Sequence, residues 1–194
     1  MSSHEVRNDL IALIARYLQA SSSQIVQSVA ALMPGQDYRS LPEPLRNAPV
    51  CAHLTAAETL FPSQGNAVAI ASKFRELLPV LHWTADYPQH PVLKDAFGHA
   101  VIAASDAIVM GCNMLAARTD YPAHWHPAEE IYIPLSGSGA RYWQESIGTH
   151  KTGSPGDIIL HGARELHAMS TLDHPVLNVW IQYGAEPGGP AFFG

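Results

Sequence analysis

Apolar positions in the first third of the chain fall at helical spacing. Leu10, Ile11, Leu13, Ile14, Tyr17 and Leu18 recur at the three- and four-residue interval that gathers side chains on one helix face. Ile25, Val26, Val29, Leu32 and Met33 repeat the signal, with the Ser21–Ser23 run as break and cap. Pro34-Gly35 closes this second helix. Thr55-x-x-Glu58 reads as a capping box opening a short third helix, and Ala67–Leu78 as a fourth, stopped by Pro79. Residues 34–50 and 84–92 are Pro-rich connectors.

Near residue 98 the period shortens to that of strands. Candidate strands are His99–Ala104, Ile108–Ala116, Glu130–Pro134, Ala140–Trp143, Asp157–Leu160, His167–Thr171 and Val176–Gln182. Ser136-Gly137-Ser138-Gly139, Gly153-Ser154-Pro155-Gly156 and Asp173-His174-Pro175 punctuate them. Many short strands joined by tight turns predict a sandwich or a jelly-roll barrel. The fold class is therefore α+β, with a helical N-terminal region (1–98) packed on a C-terminal β-barrel (99–194). The joining segment, 79–98, is too apolar for a free linker, so the two regions are expected to share one core.

A chain of 194 residues suits one compact domain with a modest extension. Eleven Lys+Arg against 17 Asp+Glu leave a formal charge of −6, without the basic stripe that nucleic acid or an anionic membrane requires. Residues 1–33 carry only Arg7 and Arg16 as cations, too few for a helix-turn-helix. No stretch approaches the roughly 20 apolar residues of a membrane helix, and the N-terminus does not read as a secretory leader. A cytoplasmic protein with Cys51 and Cys112 reduced is expected. Cys112, in an apolar run, reads as core and not as a nucleophile. The 11 histidines equal the whole Lys+Arg total and call for a reason.

That reason lies in Tyr121-Pro122-Ala123-His124-Trp125-His126-Pro127-Ala128-Glu129-Glu130-Ile131-Tyr132. If extended backbone runs through this stretch, His124, His126, Glu130 and Tyr132 share one strand face. Imidazoles and a carboxylate converging there form a mixed nitrogen/oxygen metal site. Ten residues after Asp157 comes His167, which a neighbouring strand would bring opposite the cluster. His53, His82 and His99 read as ordinary hydrogen-bonded histidines. His161, near a turn, is expected at the rim of the site in a hydrogen-bonding role. Arg164 and Lys151 read as solvated surface residues. A phenol beside a Lewis acid has a lowered pKa, so Tyr132 can serve as a general base, with Tyr121 as a second phenol. Trp125, Trp143 and Trp180 come from different strands and could add aromatic surface for a cation, although alternation turns Trp125 away from His124 and His126.

His124-x-His126-x3-Glu130-x6-Gly137 resembles the first cupin motif, and Pro155-Gly156-Asp157 through His167 resembles the second. The resemblance implies a small β-barrel holding one divalent metal, with His124, His126, Glu130 and His167 at the ligand positions. Arg118 stands where the first motif has glycine, and His161-Gly162 occupies the proline region of the second. The run from Tyr121 to Tyr132, the helical extension and the chain length further resemble the cupin-type dimethylsulfoniopropionate lyases of the DddQ type. That family implies a small zwitterionic sulfonium carboxylate as substrate. The metal (Zn, Fe, Mn, Co or Ni) binds its carboxylate, a tyrosine takes the α-proton, and dimethyl sulfide leaves with acrylate remaining. By this resemblance Tyr132 is the base, Tyr121 a supporting base or substrate contact, and Trp180 a substrate contact. Another metal-dependent cupin enzyme (a dioxygenase or isomerase) and a non-catalytic binding cupin are the alternatives. The helices could form a homodimer face or a lid over the barrel mouth.

Overall fold

A computed structural model describes residues 2–40, 42–137 and 139–194. Leu41 in the first connector and Ser138 in the Ser136–Gly139 turn lie outside the described residues. The helices are α1 (Ser3–Gln19), α2 (Gln24–Leu32), α3 (Leu54–Thr59), α4 (Val68–Leu77) and α5 (Leu93–Ala96). The strands are β1 (Trp83–Thr84), β2 (Phe97–Ala104), β3 (Ile108–Leu115), β4 (Asp120–Trp125), β5 (Glu129–Pro134) and β6 (Arg141–Gln144). They continue as β7 (His150–Thr152), β8 (Ile159–His161), β9 (His167–Ser170), β10 (Val176–Tyr183) and β11 (Phe192–Phe193).

Ser23 caps α2 as its sequence suggests, its hydroxyl accepting the Val26 N–H. The capping box at Thr55 does not form. The chain enters α3 from a 3-10 turn, Pro49–His53, so His53 is already helical and Thr55 lies within the first turn. Pro79 does not end α4 abruptly either. It sits early in a second 3-10 turn, Leu78–Val80, where its missing N–H has no helical partner to lose.

The strands form two antiparallel sheets, ordered β1-β2-β3-β10-β5-β8 and β11-β4-β9-β6-β7. Alternation along β10 shows how they are used. Leu177, Val179 and Ile181 join a core with Leu10, Ile14, Leu18, Phe74 and Leu77 of the helices. Val176 and Trp180 face the other way, into a second cluster between the sheets with Phe97, Tyr121, Tyr132, Tyr142 and Met169. α1–α4 thus cover the back of the six-stranded sheet, whereas Leu93 of α5 packs in the second cluster. Burial pushes the Cys112 thiol far up, in keeping with a core residue. Among the described residues, no helix is long and apolar enough to cross a membrane.

β4 escapes a strand search because Pro122 interrupts it. Its register on β9 shifts between Tyr121 and His124, which leaves Pro122 outside the ladder. Arg118 has φ 55, the left-handed conformation that favours glycine, and so meets the backbone demand of the motif's usual glycine.

Candidate metal centre and active site

The histidine-rich run is not one continuous strand. β4 ends at Trp125 in the five-stranded sheet, the chain bends through His126–Ala128, and β5 begins at Glu129 in the six-stranded sheet. Pro127 has no N–H to offer a ladder, which suits the bend. The ligand-type residues therefore converge across the gap between the sheets. His167, first residue of β9, pairs with His124.

Each of the three motif histidines has its ring turned by a local carbonyl. Nδ1 of His124 lies 2.9 Å from Pro122 O, that of His126 2.8 Å from Ala128 O, and that of His167 2.9 Å from Glu165 O. A carbonyl only accepts, so each Nδ1 carries the proton, and in neutral imidazole Nε2 is left as a lone pair. Glu130 Oε2 then lies 3.1 Å from His126 Nε2 and 3.5 Å from His167 Nε2. These three acceptor atoms meet in a buried place, with side chains 2–3% exposed. Acceptors at such distances need positive charge between them, from added protons or a metal ion. His126, Glu130 and His167 form a group of metal-holding geometry, and buried His167 Nε2 has no hydrogen-bond partner. The donor set fits a divalent cation. Burial raises the Glu130 carboxyl, but the positive charge that added protons place on His126 and His167 outweighs it and holds it well below the usual range.

His124 lies beside this group, its ring centroid 4.2 Å from that of His167 and 6.5 Å from that of His126. Burial first, then His167, lowers its pKa to about 3. Tyr132 stands on β5 opposite Trp180 of β10. Its phenol oxygen accepts from Asn113 Nδ2 at 3.3 Å, and Asn113 Oδ1 accepts in turn from Asn178 Nδ2 at 2.9 Å. Burial, then the charge of Glu130, raises the Tyr132 phenol well above its ordinary value. Tyr121 stacks on Phe97 at 4.5 Å and shares a 2.5 Å phenol–phenol hydrogen bond with Tyr87. A cavity of about 520 Å³ opens over Tyr121, His124, His126, Glu130, Tyr132 and Trp180.

The dimethylsulfoniopropionate (DMSP) lyase family model matches residues 19–178. The chain belongs to the DMSP lyase family. It is 38% identical over 81 residues to dimethylsulfoniopropionate lyase DddQ of Ruegeria pomeroyi, covering 42% of this chain and 39% of that relative. The matched segment thus spans well under half the relative's length. A solved chain from the DMSP lyases RdDddP and RnDddQII superposes with TM-score 0.80 at 21% identity, over 100% of both chains. DMSP lyase DddQ from Ruegeria pomeroyi DSS-3 gives 0.79 at 23% identity, over 97% of this chain and 96% of its own. At these identities the likeness is one of fold. Rru_A2000 from Rhodospirillum rubrum, a cupin-2 domain, gives 0.50 at 10% identity over 59% of this chain and 75% of its own. The chain accordingly has a cupin-like barrel fold with a helical extension.

Three sequence expectations change in this fold. His161 is not at the rim, and its side chain makes no hydrogen bond. It is buried on β8 opposite Glu130, stacked on His167 at 4.2 Å, with both ring nitrogens unpartnered. Trp125 and Trp143 stay outside the cavity. Trp125 stacks on Phe192 at 4.7 Å beneath the Arg164 guanidinium, and Trp143 is half-buried on β6. Of the three, Trp180 lines the cavity. His99 reads from sequence as an ordinary hydrogen-bonded residue, yet it lines the cavity too, with Nδ1 2.6 Å from Asp86 Oδ2.

Other lining residues carry little sequence signal. Asp86 and Tyr87 lie in a Pro-rich connector without periodicity. Residues 187–191 lie in the Gly/Pro-rich segment after β10. Gln182 was reachable, because it shares the alternating face of β10 with Trp180.

Proposed function

We propose that this chain is a metal-dependent DMSP lyase, a carbon–sulfur lyase that cleaves dimethylsulfoniopropionate to dimethyl sulfide and acrylate by β-elimination. One observation carries the reading within the family. Three buried acceptor atoms, from His126, Glu130 and His167, converge beside a cavity that His126, Glu130, Tyr132 and Tyr121 line. His126, Glu130 and His167 are the metal ligands, with His124 beside them as the fourth. Zn, Fe, Mn, Co and Ni all suit nitrogen and oxygen donors.

A bound divalent cation supplies Lewis acidity, to the substrate carboxylate as its α-carbon loses a proton and to a neighbouring phenol that burial otherwise keeps protonated. Tyr132 takes the α-proton, and the Asn113 N–H directed at its oxygen steadies the phenolate. The leaving group departs from a sulfonium as a neutral sulfide, so no acid is required. Trp180, Phe97 and Tyr87 wall the cavity with ring faces suited to the sulfonium cation. Tyr121 contacts the substrate from its hydrogen bond with Tyr87. Nothing in this chemistry calls for nucleic acid or membrane, and the proposed setting is the cytoplasm.

The test is release of dimethyl sulfide from DMSP by metal-loaded protein, measured in headspace gas. Tyr132→Phe should lose about 100-fold or more of the rate while binding metal as the wild type does. Full activity in that variant would remove Tyr132 as the base. Turnover that stops under anaerobic conditions would favour an oxygenase instead.

A further inference from the structure

Glu130 has two oxygens with different surroundings. Oε2 faces His126 and His167, whereas Oε1 accepts a hydrogen bond from Gln182 Nε2 at 3.1 Å. The Gln182 amide cannot turn round, because its Oε1 accepts the backbone N–H of Gly188 at 2.8 Å. A backbone N–H only donates, so the carbonyl end of the amide faces Gly188 and the NH2 end faces Glu130. Gln182 stands directly opposite Glu130 in the β10–β5 ladder, and both are buried. Gly188 adopts φ 78, the conformation that favours glycine, and a Cβ there would meet Val109 Cγ2 at 3.1 Å.

Gly188 belongs to the segment that follows β10 and folds across the cavity. Residues 187–191 line the cavity, and Phe192–Phe193 pair with Trp125 and His124 of β4. The Phe193 ring lies 5.0 Å from that of Tyr87, and the Gly194 N–H donates to Ala123 O at 3.0 Å. Anchorage is light, since Phe192 and Phe193 remain 44% and 46% exposed and β11 has two residues. A segment of this kind opens at low cost unless something holds it.

We propose that Gln182 is a positioning residue tying segment 184–194 to the Glu130 carboxylate, so that metal binding and docking of the segment reinforce each other. With Oε1 engaged by Gln182, Glu130 offers Oε2 alone, in one orientation, to whatever His126 and His167 hold. The coupling is reciprocal by thermodynamic necessity, so a metal that tightens Glu130 also tightens Gly188. The inference rests on the reading that His126, Glu130 and His167 hold a divalent metal, and not on the identity of the substrate.

Zinc serves as the probe, on the full chain. Zinc affinity is measured by chelator competition in wild type and Gln182→Met, which keeps the length of the side chain and loses both hydrogen bonds. The variant should bind roughly 10- to 100-fold more weakly. Hydrogen–deuterium exchange is measured in parallel. Zinc should slow the amides of 188–194 in the wild type and leave them unchanged in Gln182→Met. Equal affinities, or a wild-type segment whose exchange ignores zinc, would overturn the proposal. If Gln182→Met does not fold, the wild-type exchange arm decides alone. A wild type that binds no zinc overturns the metal reading and this inference together. Zinc coupling as expected, without dimethyl sulfide release, counts against the lyase reading only.

Discussion

Gly111 shows how one residue shapes the cavity wall. It lies opposite Trp180 in the β3–β10 ladder, on the face turned toward the cavity. A Cβ there would come within 2.5 Å of Trp180 Cε2 and 2.6 Å of Ala100 O. The indole can lie flat against β3 because that atom is missing, a use of strand glycine that allows close approach. Gly111→Ala should therefore destabilise the fold by about 1–3 kcal/mol, read from urea denaturation. It should also raise the KM for DMSP as Trp180 is pushed into the cavity. An unchanged midpoint and KM would show that the indole relaxes elsewhere. Nothing in Ile108–Leu115 announces this role, since the partner ring comes from a strand some 70 residues on. The histidine rings are a contrasting case. Their orientation is set by carbonyls two residues away, at Pro122, Ala128 and Glu165. For that reason their spacing was readable.

Among elements, the two helix starts that look alike in sequence differ in fact. Ser23 accepts the Val26 N–H at the start of α2, whereas Thr55 is exposed inside the first turn of α3 and caps nothing. Ser23→Ala should cost about 0.5–2 kcal/mol, and Thr55→Ala less than about 0.5 kcal/mol. Both are measured by chemical denaturation against wild type, and the reverse order would refute the cap assignment. The preceding 3-10 turn makes the difference, because it brings the chain to His53 already helical. β4 carries the same lesson for strands. Its proline argues against a strand, yet the register shift on β9 removes the conflict and leaves His124 paired with His167. A propensity counts residues, and a bulge is a relation between two strands.

At the scale of the molecule, the helices and the six-stranded sheet close on one apolar core, and we propose that regions 1–98 and 99–194 unfold as one cooperative unit. Unfolding followed by helix ellipticity at 222 nm and by the fluorescence of Trp83, Trp125, Trp143 and Trp180 should then trace a single transition. Zinc at 100 times its dissociation constant should raise both traces together, by about 2.7 kcal/mol. Two separate midpoints would mean that the regions fold independently. The sequence alone determined the helical half, most of the strands, the cupin spacing of His124, His126, Glu130 and His167, and Tyr132 beside them. These are local signals, since helix period, strand alternation, turn residues and motif spacing act within about a dozen residues. Tertiary structure decided the rest. It sent β4 and β5 into different sheets, buried His161 against His167, and kept Trp125 and Trp143 out of the cavity. It also brought Tyr87 to Tyr121 across 34 residues and Gln182 to Glu130 across 52. Contacts at that range depend on which strands pair and on how the chain returns after β10, and no local pattern encodes them.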